Sequence, residues 1–441
     1  MATMWNEWTY WLSSIPRDEL LWLILPVMLF DGLRYCFTSL CVWTFDFVCR
    51  LSPKNLWSSS SSLALESQRS GYRYCPSISL VVAGLNEGEN LRGTLERLWG
   101  TYPRLQLIVV DDGSTDNMAV VARQFAADHP GVIVISKRRG GKSSAMNAGL
   151  ACATGEITIV LDADSELAPN ALWEIVQPLD DPTVGAVSGN VRVRNYSKNL
   201  LTRLQAFEYL RSVFLGRIVS SRLGILGIVS GAFGAFRTSL LKQMGGWDVG
   251  PGEDEDVVLR IRKQGYRIVF VPEADCFTDV PESWKVLTKQ RRRWEWAVVT
   301  FESRKHIDMA NPFNKHCTLS NFVLFAERWF FNLLLPLWFW VYLAWTFGSI
   351  GSNRISDLIY PSLLFYCLYV LGDLVHYLII LDYSNHFRRD LAAIFVIPLM
   401  PFYQAYQRLI TTFAVVEEML SRRSFRDGFV PQHVRSVTWH W

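Results

Sequence analysis

Charge is scarce in this sequence. Of its 441 residues only 19% are Asp, Glu, Lys or Arg, against 50% hydrophobic ones, and the mean hydropathy is +0.13. That balance excludes an ordinary pair of soluble domains and fits one soluble domain joined to membrane segments. Net charge is equally small: 44 basic and 41 acidic residues leave +3, too little to attract a polyanion, so no nucleic-acid partner is expected. Its basic residues lie mostly beside apolar segments, as cytoplasmic-side anchors do. Cysteine is thin and unpatterned. Eight are present without a CxxC pair, which argues against a zinc framework and a disulfide scaffold and leaves buried thiols facing a reducing cytosol. Internal repeats are absent, and so is a P-loop: Gly140-Gly141-Lys142 lacks the spacing of an ATPase. Tryptophan, at 18 residues, is not lacking.

Long uncharged runs are what the sequence has instead. Trp329 to Asn353 carries no charge and exceeds the ~20 residues of a helical crossing. Leu20 to Cys41, entered after a Trp-rich leader without the basic start of a cleavable signal, reads as a retained N-terminal span. Leu358 to Leu381 is a further crossing, in which Asp373 and His376 are expected to face protein or a polar cavity rather than lipid. Leu391 to Val416 is interrupted by Pro398, Pro401 and Arg408, which allows a broken helix, a re-entrant hairpin or two in-plane pieces. If it crossed once, the tail would lie outside; yet Arg422, Arg423, Arg426 and Arg435 favour the cytoplasm, so a hairpin here or a second N-terminal crossing is expected. The resulting map is a membrane segment at 1–50, a serine-rich tether at 51–76, a soluble domain at 77–300, interfacial helices at 301–328, a membrane region at 329–416 and a basic tail at 417–441.

Within 77–300 the pattern alternates strand and helix. Strands are expected at Ile78–Ala83, Gln106–Val110, Val132–Ser136 and Glu156–Leu161, with helices at Gly88–Trp99, Met118–Ala127 and Ser143–Ala153. This is an α/β domain whose acids fall at strand carboxyl ends, where open parallel sheets bind ligands.

Three constellations carry chemistry. Val109-Val110-Asp111-Asp112-Gly113-Ser114 ends a strand in carboxylates, and Asp112 offers acceptors to a uracil or ribose, although an Asx turn would look the same. Lys142 opens a helix after two glycines and adds a cation and free amides suited to phosphate. Asp162-Ala163-Asp164 follows an apolar strand directly; two carboxylates one residue apart supply hard oxygens for Mg2+ or Mn2+, with Asp164 as metal ligand and Asp162 beside the donor diphosphate. Gly252-Glu253-Asp254-Glu255-Asp256 opens a helix through Arg262. Such acids can simply match the helix dipole, but an inverting transfer needs a carboxylate to deprotonate the attacking hydroxyl, and Asp254 is the candidate. A small-residue strand over Val229 to Phe236 would let an acceptor approach closely, beside Ser230 and Glu253.

The order Asp112, Lys142, Asp162-Ala163-Asp164, Gly189-Asn190, Ser230-Gly231, Glu253-Asp254 and Gln290-Arg291-Arg292-Arg293-Trp294 resembles the processive family 2 glycosyltransferases, a group of poly-N-acetylglucosamine, chitin-type, hyaluronan and cellulose synthases. The poly-N-acetylglucosamine synthases look most similar, through Ser188 to Arg194 and Glu253 to Asp256. The resemblance implies a GT-A (Rossmann-like) cytosolic catalytic domain inserted between transmembrane α-helices of the inner or plasma membrane. It implies a UDP-sugar donor, a growing polysaccharide, the lipid bilayer and accessory membrane or export subunits as partners. It also places Arg293 near the diphosphate, and Gln290 and Trp294, of the QxxRW signature, at the acceptor sugar. An indole offers a flat stacking face and a guanidinium grips phosphate bidentately, so the chemistry agrees. One departure is Gly252 where cellulose-type enzymes carry Thr. Two other readings compete: a transferase adding one sugar to a lipid, which generally lacks the Gln290 to Trp294 signature, and a membrane scaffold or transporter with a degenerate nucleotide-binding domain.

Overall fold

Continuous apolar runs at Ile78–Gly84 (β1), Leu105–Asp111 (β2) and Ile157–Asp162 (β4) bury both faces, the pattern of central strands in a parallel sheet. With Ile133–Ser136 (β3) they form a parallel unit in the order β3-β2-β1-β4, connected by the helices Gly88–Leu98 (α1), Met118–Asp128 (α2) and Lys142–Cys152 (α3). Strand order reverses at β1, so the carboxyl ends of β1 and β4 open a crevice. The computed structural model describes residues 36–50, 72–248, 250, 252–330, 334–338, 340–341, 356–426, 428 and 430–434.

The second half of the sheet departs from a purely parallel Rossmann arrangement. Glu166–Leu167 (β5), Val184–Val193 (β6), Phe233–Arg237 (β7) and Arg267–Thr278 (β8) complete eight strands in the order β3-β2-β1-β4-β7-β6-β8-β5. β7 is antiparallel to both β4 and β6, β8 is parallel to β6, and β5 is antiparallel to β8. One face of the sheet packs Leu91, Leu95, Met118 and Phe125, the other Met146, Phe214, Val257 and Ile261. The strand expected from Val229 begins only at Phe233. Ser230 N donates to Ser188 Oγ at 3.2 Å and Phe233 N to Ser230 O at 3.1 Å, so a side chain and a turn take the groups a strand ladder would use.

Around this sheet lie Leu200–Tyr209 (α4), which continues through a π segment at Leu210–Leu215 into a helix at Gly216–Arg222, then Glu253–Lys263 (α5) and Trp284–Thr300 (α6). The region expected to be interfacial holds a π segment at Phe301–Lys305, a 3-10 turn at Ile307–Ala310 and Leu319–Trp329 (α7), which buries Leu324 and Phe325 while exposing Leu319, Phe322 and Val323. Among the described residues one helix is long and apolar enough to cross a membrane, the Ser362–Tyr383 part of Ser356–Tyr383 (α8). Its Asp373 is buried, accepting from Arg211 Nη1 and Gln404 Nε2, each at 3.0 Å. The interrupted segment is a broken helix: a 3-10 stretch at Leu391–Leu399 precedes Met400–Ser421 (α9). α9 runs alongside α6, joined by Thr288 with Tyr406, Glu295 with Thr411 and Arg292 with Glu417. Most of the expected spans at 20–41 and 329–353, the tether at 51–71, and Arg435 lie outside the described residues.

Candidate active site

The carboxyl ends of β2 and β4 and the starts of α3 and α5 converge on the crevice. Asp112 is buried at the end of β2 and accepts from Lys137 Nζ at 2.8 Å, Gly140 N at 2.9 Å and Gly141 N at 2.7 Å. It therefore shapes the glycine loop that presents Lys142. Gly141, at φ 88°, takes a backbone conformation that favours glycine. Lys142 Nζ stands 2.5 Å from Asp162 Oδ1. Burial would push this ammonium down, but Asp162, Glu253 and Asp254 together raise it above the ordinary lysine range.

α5 can begin beside α6 because its first flanking residue is glycine. Gly252 has φ 92°, and a Cβ there would sit 2.4 Å from Ala297 Cβ of α6. A threonine at this point would be both strained and blocked, which gives the departure from the cellulose-type pattern a structural reason. Asp254, the second residue of α5, accepts from Gly231 N at 3.3 Å and Glu255 N at 3.0 Å. Burial first, then the charges of Glu253 and Glu255, push its carboxyl up to about 7, against the pull of Lys142 and Arg217. That is the range in which a carboxylate works as a base near neutral pH. A side chain at Gly231 would fall 3.3 Å from Lys142 Nζ and 3.4 Å from Asp254 Oδ2, so the missing side chain keeps open the space between cation and carboxylate.

Asp256 has another job. Buried on the same helix, it meets His306 Nε2 at 2.8 Å, Lys305 Nζ at 2.7 Å and Arg260 Nε at 2.9 Å. These partners pull its carboxyl down to about 2, against burial. Because that value lies below the unfolded one, its stabilisation is present above about pH 4 and is lost as pH falls through 2. Asp256→Asn is expected to lower stability at pH 7 by on the order of 2–3 kcal/mol, with variant and wild type converging toward pH 2; thermal unfolding across that pH range checks it.

Asp164 is half-buried, and burial together with neighbouring Asp162 holds its carboxyl above the ordinary range despite Lys142. Two carboxylates crowded in a partly dehydrated crevice suit a hard divalent cation. No group of three or more ligating side chains is gathered among the described residues; an ion here would be held by one or two carboxylates together with a substrate's phosphates. Asp164 is the residue that would hold it, Asp162 being paired with Lys142.

The Gln290 to Trp294 run lies on α6, on a separate element from the acids. Trp294 is 44% exposed, with one face covered by the Arg291 guanidinium 3.9 Å from the ring centroid. Arg291 is anchored to Glu208 at 2.9 Å, and Glu208 also accepts from Tyr403 at 2.6 Å. Gln290 Oε1 is buried without a hydrogen-bond partner, and Arg293 is half-buried on the same helix. Beyond Glu208 opens a cavity of 760 Å³ between the catalytic domain and the helical region, lined among others by Arg211, Arg217, Asp373, His376, Tyr403 and Arg408. Sequence reasoning missed Lys137, Glu208, Arg217 and Arg291. Of these Arg291 lay within the Gln290 to Trp294 run without a role of its own, and Arg217 left a signal as a lone cation in the apolar run Val213 to Val219. The tail folds onto the catalytic domain: Arg139 Nη2 donates to Gly428 O at 3.5 Å, and Pro431 packs beside Gly141.

Residues 76–297 match the family described as glycosyltransferase like family 2. The poly-beta-1,6-N-acetyl-D-glucosamine synthase of Staphylococcus epidermidis is 33% identical over 229 residues, 51% of this chain and 55% of that protein. The corresponding synthase of Staphylococcus aureus is 32% identical over 220 residues, 49% of this chain and 53% of the relative. A probable glycosyltransferase of Bacillus subtilis, YdaM, is 31% identical over 300 residues, 65% of this chain and 67% of that one. The chain thus spans about half the length of the synthases it matches. Among solved structures, a Pyrobaculum calidifontis mannosyltransferase in complex with GDP-Man and Mn2+ shares the fold at a TM-score of 0.61 and 20% identity, covering 90% of this chain and 99% of that one. The fold is accordingly GT-A-like, with a mixed sheet.

Proposed function

This chain belongs to glycosyltransferase like family 2, and from that premise we propose that it polymerises a β-linked polysaccharide from a UDP-hexose and passes the product into a membrane. UDP-N-acetylglucosamine is the favoured donor and UDP-glucose the next. The relatives named as poly-beta-1,6-N-acetyl-D-glucosamine synthases support the first choice. The catalytic domain faces the cytoplasm of a multi-pass protein in the inner or plasma membrane, a placement supported by the apolar α8 and by the basic tail lying against the catalytic domain.

Asp254 is the base. It takes the proton of the acceptor hydroxyl as that oxygen attacks the anomeric carbon from the side opposite the leaving nucleotide, so the configuration inverts. Lys142 and the glycine loop shaped by Asp112 hold the donor's phosphates, Arg293 adds a guanidinium contact, and Asp162 keeps the Lys142 ammonium in place. Asp164 holds Mg2+ or Mn2+, which when bound neutralises charge on the departing diphosphate. Ser230, Glu253 and Gln290 border the acceptor. The single observation that carries this reading is that Lys142 and Asp254 face each other across Gly231, and that Arg217, a lining residue of the cavity, is within electrostatic reach of the same carboxyl. Arg217 thus links the base to the proposed product exit. The test is incubation of membranes containing the protein with labelled UDP-N-acetylglucosamine, UDP-glucose and UDP-glucuronate, singly and paired, followed by sizing and glycosidase digestion. Polymer from the first alone supports the reading; a single addition to lipid refutes it.

Trp294 gives the elongation step its own prediction. With one face on Arg291, the indole has the other available to stack on a sugar, worth roughly 1 kcal/mol by analogy with other flat-ring contacts. Trp294→Ala should shorten or abolish polymer while UDP affinity stays nearly constant, whereas Arg293→Ala should weaken UDP affinity as well. Chain length by gel filtration and UDP titration separate the two.

A further inference from the structure

Arg217 is the cation that the proposed reaction leaves unassigned. It sits two residues after the π segment Leu210–Leu215, a kind of helix irregularity that often marks functional sites. Its Nη1 donates to Ser188 Oγ at 2.9 Å, and among the described residues no carboxylate comes within ion-pair distance of it. Its neighbour Arg328 makes a useful contrast, since that guanidinium meets Glu255 at 3.3 Å and Glu302 at 3.0 Å. Burial pulls Arg217 down to about 10, with Asp254 acting against the shift. A guanidinium at the edge of the core without a carboxylate in contact is costly to maintain, since its charge is compensated only at a distance. Packing of the apolar neighbours alone would be served better by Leu or Met.

Position suggests what compensates it. The Arg217 side chain is only half-buried as a residue because it opens onto the cavity, and the Ser188 hydroxyl it contacts also receives the amide of Ser230, next to Gly231 at Asp254. Arg217 therefore stands at the boundary between cavity and base, where an acceptor coming from the cavity must bring its terminal sugar. The fork of a guanidinium presents several donors in one plane, suited to the vicinal hydroxyls or the acyl carbonyl of a neutral sugar. We propose that Arg217 is an acceptor-binding, specificity-determining residue, donating hydrogen bonds to oxygens of the terminal sugar and so setting the hydroxyl that Asp254 deprotonates. This rests on the polysaccharide-forming reading above, and it adds a residue outside the Gln290 to Trp294 run to the acceptor side.

The test uses the full-length protein in detergent or liposomes with two measurements. One is equilibrium binding of a labelled β-linked N-acetylglucosamine pentasaccharide without donor; the other is the half-saturating concentration of that pentasaccharide and of UDP-N-acetylglucosamine in transfer. Arg217→Gln should weaken pentasaccharide binding and raise its half-saturating concentration about tenfold or more, the loss expected from roughly 1.4 kcal/mol of charged hydrogen bonding. The half-saturating donor concentration should move less than twofold. Arg217→Lys, which keeps the charge but loses the fork, should fall between Gln and wild type, and it carries the test should the Gln variant not fold. Unchanged pentasaccharide binding in a folded variant would overturn the proposal, as would donor and acceptor constants rising together. If wild-type protein binds the pentasaccharide but extends it by a single sugar only, the processive reading fails while the Arg217 assignment is still decided by the binding measurement.

Discussion

Asp254→Asn is expected to keep UDP-sugar binding and to slow glycosyl transfer by a factor on the order of 10² or more. The loss has a specific physical source. The carboxylate that would accept the acceptor proton becomes an amide of the same shape, while Lys142 and the glycine loop that would serve the donor are untouched. The fold offers an internal control. Asp254 has its carboxyl raised to about 7 by burial and by Glu253, so ionising it destabilises the native state, and stability falls as pH rises from the unfolded value through 7. The amide variant does not ionise. Asp254→Asn should therefore be at least as stable as wild type at pH 8, and its inactivity cannot be assigned to unfolding. The same shift predicts that wild-type activity declines as pH falls through about 7, because the base must be ionised to work. A variant with near-normal turnover would move the base to Glu253; Asp256, pulled down to about 2 by three basic partners, is a poor candidate.

Asp164→Ala is expected to abolish transfer and to weaken UDP binding together, and chelation of divalent ions should do the same to wild type. The two effects belong together because the ion held at Asp164 would join protein to diphosphate. The variant also removes a carboxyl that burial and then neighbouring Asp162 hold above its ordinary range, so no loss of stability should accompany the loss of activity. UDP titration with and without Mn2+ reads this directly. A wild-type protein that binds UDP equally well with and without metal would contradict the role given to Asp164.

The parallel half of the fold and the acidic motifs were legible because their signals are local. A run such as Ile157 to Leu161 is β-branched or apolar throughout and ends directly in Asp162, so strand, burial and acidic end are written in consecutive residues. The antiparallel placement of β7 was not legible, since residue alternation is the same whichever way a strand runs. Strand Val229 to Phe236 was too long by its first residues because the competing partner, Ser188 Oγ, comes from a distant strand. The Gln290 to Trp294 run was visible as a motif, but the anchoring of Arg291 by Glu208 and Tyr403 depends on α9 folding back along α6. Arg217 illustrates the same limit. Its neighbours in sequence are apolar, and only the tertiary structure sets its charge beside Asp254.

The most direct test of inversion at Asp254 is the anomeric configuration of the first bond formed. Full-length protein supplied with UDP-N-acetylglucosamine, whose sugar is α-linked to the diphosphate, and with a β-linked pentasaccharide should yield a new β-linkage by NMR at early conversion, and Asp254→Asn should yield none. An α-linkage, or a β-linkage formed equally well by the Asn variant, would contradict the account.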